Sequence, residues 1–373
     1  MNRSTISLGR ILGIPIGLDY SWFLIFGVLT WSLATSYYPA EFRGWPVTQY
    51  WIMGTATAIL MFGSVLLHEL GHSVVALRYK IPVRSITLFV FGGVAQIGAE
   101  PPSAIAEFWI AIAGPVTSFA LAIVFSLLQP VFGAFAPLLA LAKYLAYING
   151  ALGLFNLIPG FPLDGGRVFR AIIWGSTHSL RRATLIAANV GRFIAYGFIG
   201  LGVWQMFSGS FGNGLWIAFI GWFLESAASS QIHQQTIHDL LAGHHVADVM
   251  RRDYTSIGPD ATLEQLVTEH ILGSGRRSLI VKQNDRITGL LTLHNVKVIP
   301  SIDWPNTTAA QVMVPVAQMK YIKPDAELVD ALGEMDRDGV NQLPVMVDDE
   351  IQGVLGRDDV ISTVRNLSEF SRH

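Results

Sequence analysis

The chain has 373 residues, of which 51% are hydrophobic and only 14% are charged. Soluble domains average about 25% charged residues, so this composition indicates a membrane protein. The formal net charge of -2 argues against nucleic acid as a partner. The absence of cysteine excludes disulfides and thiolate metal ligands, so any metal site must use His, Asp or Glu.

Apolar stretches before residue 232 predict about six transmembrane helices, because each is close to the roughly 20 residues that a span needs. They are residues 17–37, 51–77, 104–130, 136–158, 185–207 and 214–231. Basic residues gather in the loops on one side of these spans, whereas the opposite loops contain only Arg43. This bias predicts a multi-pass protein of the cell (inner) membrane, with the N-terminus and the C-terminal half in the cytoplasm.

The second stretch contains an H-E-x-x-H pattern formed by His68, Glu69 and His72. Residues four apart on a helix share a face, so both imidazoles can bind one metal ion with Glu69 beside it. A chance match at a polar helix end is the alternative, but chance does not explain the depth of the motif in an apolar run. The charge bias places this motif near the cytoplasmic end of its span.

A catalytic zinc site needs a third protein ligand and keeps one position open. Asp164 is the best candidate, because it follows a stretch in which Asn149, Asn156, Pro159 and Pro162 are expected to break the fourth span. Broken backbone at membrane depth is tolerated where it is buried in protein or lines a water-filled cavity. In such a site zinc acidifies water, and Glu69 can accept the proton and pass it to a leaving amine.

Residues 84–100 alternate apolar and polar side chains around Gly92 and Gly93, which predicts two strands joined by a turn. One interpretation is a surface hairpin that follows the second span. The other is a re-entrant hairpin beside the metal site. Its exposed edge would bind an unwound substrate peptide as an added strand, with Gly92 and Gly93 in the substrate site.

Three motifs carry a resemblance to a known family: HELGH at 68–72, AGPVTS at 113–118 and NLIPGFPLDGGR at 156–167. Asn156, Pro159, Asp164 and Gly165 match the family pattern N-x-x-P-x-x-x-x-D-G position by position. The sequence resembles the site-2 protease family of intramembrane zinc metalloproteases (peptidase family M50), in the branch with C-terminal cystathionine-β-synthase (CBS) domains.

The resemblance implies that His68, His72 and Asp164 bind one zinc ion per chain and that Glu69 is the general acid and base. It places Asn156 near the substrate backbone, although a cap in the helix break is the alternative role. Gly114 and Ser118 are interpreted as small residues that pack beside the site and take no part in the chemistry.

The second half of the chain contains an internal repeat, in which residues 246–271 align with residues 309–335. Each copy predicts the order strand, helix, strand, turn, strand, helix, and two copies suggest a pseudo-twofold pair packed through its sheets. We therefore expect a transmembrane metalloprotease domain over 1–232, a linker over 233–245, and repeats over 246–300 and 301–373.

The pair resembles a tandem CBS module, a type of domain that commonly binds adenosine nucleotides between its copies. The ribose-contacting stretch of that family reads G, two hydrophobic residues, T, two variable residues, D. The second copy keeps Asp359 but has Gly356 at the Thr position, and the first keeps Thr292 but has Asn295 at the Asp position. Asp359 and Thr292 are therefore the predicted contacts for ATP, ADP or AMP. A purely structural module that forms homodimers is the alternative.

The predicted protein is a polytopic α-helical membrane domain with a re-entrant β-hairpin, followed by an α/β tandem CBS domain. Its predicted function is hydrolysis of peptide bonds in or near transmembrane segments of membrane-protein substrates, modulated by adenine nucleotides. A CBS-gated ion channel or transporter is the alternative, in which His68, His72 and Asp164 would line an ion pathway. Glu69 between the two histidines favours the peptidase. A catalytically inactive scaffold is disfavoured because no expected ligand or base is missing.

Overall fold

The computed structural model describes residues 5–284, 286–348 and 350–370. The chain divides into two compact units, Met1–Gln235 and Thr236–His373. The strands of the first unit are β1 (Thr5–Ile11), β2 (Ile14–Asp19), β3 (Val83–Phe89) and β4 (Gly92–Ile97). Its helices are α1 (Ser21–Ser32), α2 (Tyr38–Glu41), α3 (Val47–Arg78), α4 (Ala104–Leu128), α5 (Ala136–Asn156), α6 (Asp164–Thr177), α7 (Leu180–Phe207) and α8 (Phe211–Leu241), which ends inside the second unit.

Four helices among the described residues are long and apolar enough to cross a membrane, namely α3, α4, α5 and α7. They coincide with the second to fifth predicted stretches. The first stretch is divided between α1, a short π-helix at Leu33–Tyr37 and α2, and the sixth lies within α8. The total of six spans therefore stays a prediction. Part of the predicted linker is helical, because α8 continues to Leu241.

The helix break before Asp164 is shorter than the sequence predicts. Helix α5 runs without interruption to Asn156, so the prediction that Asn149 breaks it is wrong. Asn149 is fully buried, and its amide nitrogen donates to the Leu145 carbonyl at 2.8 Å and to Ser64 Oγ at 3.1 Å. These bonds satisfy the amide nitrogen without disturbing the helix. The break falls at residues 157–163, and α6 begins at Asp164.

The loop over residues 157–163 is fixed against α7 by a close backbone approach. A Cβ atom at Gly191 would overlap the carbonyl oxygen of Phe161, so only glycine permits this contact. Phe161 N–H also donates to the Ala187 carbonyl of α7 at 3.4 Å. The position of Asp164, at the end of this loop, therefore depends on the packing of the loop against α7.

A four-stranded sheet in the order β1-β2-β3-β4 packs beside α3. Strands β3 and β4 form the hairpin expected within residues 84–100, and β4 lies at an edge of the sheet. The sequence did not predict the β1–β2 hairpin, whose tight turn places Leu12 and Gly13 at φ 51° and 80°. Hairpin turns of this kind usually contain Asn-Gly or Asp-Gly, whereas this turn contains Leu-Gly, and leucine rarely adopts positive φ.

The second unit contains two sheets, in the orders β5-β6-β7-β8 and β10-β9. Its strands are β5 (Ser256–Ile257), β6 (Ser278–Gln283), β7 (Arg286–Thr292), β8 (Val314–Pro315), β9 (Gln342–Val347) and β10 (Glu350–Gly356). Its helices are α9 (Val246–Val249), α10 (Leu263–Leu266), α11 (Leu293–Lys297), α12 (Ala309–Val312), α13 (Leu328–Asp338) and α14 (Arg357–Phe370). A π-helix at Val267–Leu272 follows α10, and short 3-10 helices lie at Ser301–Asn306 and Val316–Gln318.

In each repeat, the segment that precedes the strands pairs with a strand of the other repeat. Arg251, which precedes the first repeat's strands, bridges Val354 of β10, and Val314 of β8 pairs with Leu290 of β7. Buried residues from both sheets share one core, formed by Ile280, Leu290, Met319, Met346, Ile351 and Val354. The copies therefore pack through their sheets with pseudo-twofold symmetry, as their sequence alignment predicts.

Candidate metal centre

Two histidines of α3 and the first residue of α6 converge on one buried point. His68 and His72 are each 3% exposed, and the Asp164 side chain is 13% exposed. Asp164 Oδ2 lies 3.0 Å from His68 Nε2 and 3.1 Å from His72 Nε2, and the two Nε2 atoms are 3.3 Å apart. The structure thus brings together the three residues that the sequence nominates as metal ligands.

The outer nitrogens of both imidazoles are engaged by α4. His72 Nδ1 lies 2.7 Å from the carbonyl oxygen of Ile110, which can only accept, so Nδ1 carries the proton. His68 Nδ1 lies 2.8 Å from Ser118 Oγ. With this proton on Nδ1, a neutral His72 would present the lone pair of Nε2 to a metal ion, and such outer contacts are typical of metal-bound histidines.

A zinc ion fits this set of donors. Two groups that both accept hydrogen bonds repel each other at 3.1 Å unless a positive charge lies between them. Zinc binds His nitrogen and carboxylate oxygen at about 2.0–2.2 Å, so neighbouring ligands of a tetrahedral ion are about 3.3–3.6 Å apart. The observed separations of 3.0–3.3 Å are within a few tenths of an ångström of that value. Three protein ligands also leave the fourth position for water or substrate.

Gly114 and Ser118 contact the ligands directly, which the sequence interpretation underestimated. A Cβ atom at Gly114 would lie 2.6 Å from His68 Nε2 and still closer to His72, so a larger residue would displace both imidazoles. Ser118 orients His68 through its hydroxyl. The spacing of the two residues is the available sequence signal, because residues four apart share one face of α4.

One cavity contains the metal centre and the residues predicted to bind substrate. Its lining includes His68, Glu69, His72, Gly92, Gly93, Val94, Ala95, Asn156, Asp164 and Arg167. A Cβ atom at Gly93 would lie 2.6 Å from Cγ of Glu69, so β4 passes very close to this carboxylate. The backbone of Ala95 is hydrogen-bonded to Glu69. The edge strand and the predicted base therefore face the same space.

A second cavity lies within the second unit and includes Asp359 but not Thr292 in its lining. Asp359 Oδ1 accepts from Arg251 Nε at 2.7 Å, and Oδ2 accepts from the Gly356 backbone at 3.0 Å. Thr292 instead caps α11, where its hydroxyl lies 2.5 Å from Asn295 Oδ1. Of the two predicted nucleotide contacts, Asp359 therefore lines the cavity, whereas the Thr292 hydroxyl is hydrogen-bonded within its own repeat.

Three arginines and three aspartates of this cavity form ion pairs. They are Arg251–Asp359, Arg276–Asp253 and Arg277–Asp358. Hydrogen bonds from Arg276 lower the pKa of Asp253, which keeps that carboxylate ionised. The six side chains together carry no net charge, so the cavity combines strong hydrogen-bonding groups with a neutral balance.

Comparison with known proteins identifies the family of the chain. The model of peptidase family M50 matches residues 56–135 and 129–198, and the CBS domain model matches residues 246–298 and 309–366. The Mycobacterium tuberculosis protein named "Putative zinc metalloprotease Rip3" is 36% identical over 337 residues, which cover 89% of this chain and 86% of the relative. The chain belongs to peptidase family M50, the site-2 proteases. It is therefore a zinc metalloprotease, as the sequence predicts.

Other relatives of this site-2 protease extend over most of the chain. The Synechocystis protein named "Putative zinc metalloprotease sll0528" is 33% identical over 97% of this chain and 96% of its own length. Among solved structures, the site-2 protease from Methanocaldococcus jannaschii is 32% identical and covers 61% of this chain and 94% of its own, with a TM-score of 0.42. Family membership favours the peptidase over the alternative of a CBS-gated channel or transporter.

Replacing Asp164 with Asn should weaken zinc retention by at least about 10–100-fold, the cost typical of losing even an outer contact of a metal ligand. The amide keeps the shape of the side chain but removes the negative charge from the ligand set. The measurement is the zinc content of the purified variant after dialysis against increasing concentrations of chelator. Asp303→Asn, an exposed position in the CBS unit, is the control. Equal zinc retention in wild type and Asp164→Asn would remove Asp164 from the ligand set.

Proposed function

We propose that this site-2 protease hydrolyses peptide bonds in or near the transmembrane segments of membrane-protein substrates. The observation that carries the proposal is the placement of Glu69 in one cavity with three convergent metal ligands and the edge strand β4. The distribution of basic loop residues supports a cytoplasmic position for the metal centre, both termini and the CBS unit in an inner membrane. The assignments of His68, His72 and Asp164 as ligands are part of this proposal.

Glu69 is the general base and acid of the proposed reaction. Zinc held by the three ligands would supply Lewis acidity, which makes water a nucleophile at neutral pH and polarises the scissile carbonyl. The Glu69 carboxylate accepts a proton from the attacking water and then delivers it to the nitrogen of the departing amine. The hydrogen bond from the backbone of Ala95 keeps the carboxylate aimed at the cavity during both transfers.

The edge of β4 is the proposed binding site for the unwound substrate. A transmembrane helix satisfies its own backbone hydrogen bonds, so its scissile bond is protected until the helix unwinds. An extended peptide that pairs with β4 would regain those bonds. Gly92 and Gly93 would allow close approach of the peptide, and Asn156, which lines the same cavity, would donate to or accept from its backbone. This arrangement makes the hairpin a re-entrant element beside the metal.

Glu69→Gln should lower cleavage by at least about 10²–10⁴-fold, because the amide cannot accept the proton. Zinc content and the melting temperature should be unchanged, since Glu69 is not a proposed ligand. The measurement is mass spectrometry of new peptide termini inside transmembrane segments, in cells that express wild type or the variant.

Glu100→Gln is the matched control, because Glu100 is an exposed residue just beyond the same hairpin. Its cleavage pattern should equal that of wild type. Cleavage by Glu69→Gln at the wild-type rate would contradict the proposed mechanism. Absence of wild-type-dependent termini inside transmembrane segments would contradict the proposed function itself.

We also propose that an adenine nucleotide binds the CBS cavity and modulates the peptidase. The support is the lining of that cavity, in which Asp359 can accept hydrogen bonds from both ribose hydroxyls. Arg251 donates to Asp359 Oδ1, and each carboxylate oxygen can accept a second hydrogen bond, so Arg251 can stay beside the bound nucleotide and pair with a phosphate. Homodimerisation through the CBS domains stays a prediction.

Calorimetry of the full-length protein with ATP, ADP and AMP tests this second proposal. Asp359→Ala should abolish the binding heat, whereas Thr292→Ala should leave it unchanged because Thr292 does not line the cavity. The absence of heat with all three nucleotides at millimolar concentration would show that the CBS pair is a structural module.

A further inference from the structure

Arg167 is a cation that lines the metal cavity, and it has no role in the reaction proposed above for Glu69 and zinc. It lies on α6, three residues after Asp164, and residues at this spacing project from the same side of a helix. Its side chain is 21% exposed. Placing a charged side chain at membrane depth has a high free-energy cost, so a charge found there usually has a specific function.

The nearest anion, Glu107, already has a counter-ion. Glu107 lies on α4 and is fully buried, and Arg170 hydrogen-bonds its Oε1 through both Nε and Nη2. Arg167 Nε is 3.8 Å from the same oxygen, which is too long for a hydrogen bond. Arg167, Arg170 and Glu107 together carry a charge of +1, so Glu107 alone does not neutralise both arginines.

The guanidinium of Arg167 also keeps its hydrogen-bonding capacity. Within the part of the chain that the structure describes, it donates no hydrogen bond to another residue, although a guanidinium has five N–H groups. The nearby Glu107 stabilises the charge without consuming these donors. A fixed cation with unused N–H groups in a peptidase cavity is suited to a substrate oxygen that becomes negative.

We propose that Arg167 is a catalytic residue that donates a hydrogen bond to the carbonyl oxygen of the scissile peptide. This inference rests on the proposed function. Attack of water on the carbonyl carbon moves the C=O electron pair onto oxygen, and Arg167 stabilises that charge. When the C–N bond breaks, the electron pair returns to form the carboxyl group, and the amine leaves with the proton from Glu69. Arg167 remains protonated throughout.

Such a donor stabilises the transition state more than the bound substrate. Its effect on the kinetics therefore differs from that of two other roles that Arg167 could have. A residue that binds the substrate in its ground state changes KM, and a residue that only balances the charge of Glu107 changes stability or zinc retention. Removing one donor from an oxyanion site typically lowers kcat by about 10²–10³-fold. The three roles therefore predict different measured quantities.

The test compares wild type, Arg167→Gln, Arg167→Lys, Arg170→Gln and Arg182→Gln in liposomes. The probe is a quenched fluorescent peptide copied from the transmembrane segment that wild type cuts most strongly in the terminus-mapping experiment. The readouts are kcat, KM, zinc content, melting temperature and the Kd of the peptide for each variant in a Glu69→Gln background. Arg182, an exposed residue near the start of α7, controls for loss of a positive charge.

Arg167→Gln should lower kcat by about 10²–10³-fold, with KM, Kd, zinc content and melting temperature close to wild type. Arg167→Lys should retain an intermediate rate, because a lysine keeps the charge but not the planar donors. In a further variant, Arg167→Ala, added guanidinium ion should raise the rate, and it should not raise the rate of Glu69→Gln. Arg170→Gln should instead lower the melting temperature, and Arg182→Gln should match wild type.

A kcat for Arg167→Gln within about threefold of wild type would overturn the inference. So would a higher Kd with unchanged kcat, or a loss of stability equal to that of Arg170→Gln. In each of these cases Glu69→Gln would still be inactive, and the proposed function would stand. Cleavage of the probe by Glu69→Gln at the wild-type rate would instead contradict the proposed function.

Discussion

One electrostatic constraint lies at the centre of the membrane unit: two imidazole nitrogens and a carboxylate oxygen converge in a buried space. These three acceptors lie 3.0–3.3 Å apart and repel one another without a shared cation. Helix α3 supplies both histidines, and α6 supplies Asp164 after a loop that packs on α7 at Gly191. Helix α4 hydrogen-bonds the Nδ1 atoms of both imidazoles, and its Gly114 leaves space for the two rings. Helices α3, α4, α6 and α7 thus all contribute to the arrangement of these three side chains.

The convergence of His68, His72 and Asp164 could be predicted from sequence because the two histidines share a helix face and the aspartate follows a prolyl break. The extent of that break could not, since the burial of Asn149 depends on its contact with Ser64, 85 residues away. The contact between Ser118 and His68 likewise forms only when α4 packs on α3. The β1–β2 hairpin escaped prediction because its turn uses a leucine at positive φ. Local patterns therefore predicted which three side chains converge, and tertiary packing determined the residues around them.

The CBS unit shows the same division between local and tertiary information. The repeat and its strand order follow from the alignment of residues 246–271 with 309–335. The pairing of Arg251 with Asp359 joins residues 108 positions apart, and it exists because each repeat lends its leading segment to the other. The sequence favoured one nucleotide site that uses Asp359, with Thr292 as a further predicted contact. In the fold, a capping bond occupies Thr292, whereas Asp359 faces a cavity.

One zinc ion is proposed to join α3 to α6 through two imidazoles and a carboxylate. Zinc X-ray absorption spectroscopy of the purified wild-type protein can detect this ligand set, because imidazole rings scatter in a distinctive way. We expect one zinc per chain, with nitrogen and oxygen ligands at about 2.0–2.2 Å and scattering from two imidazoles. A spectrum of stoichiometrically bound zinc without imidazole scattering, or a protein that binds no zinc at all, would contradict this proposal.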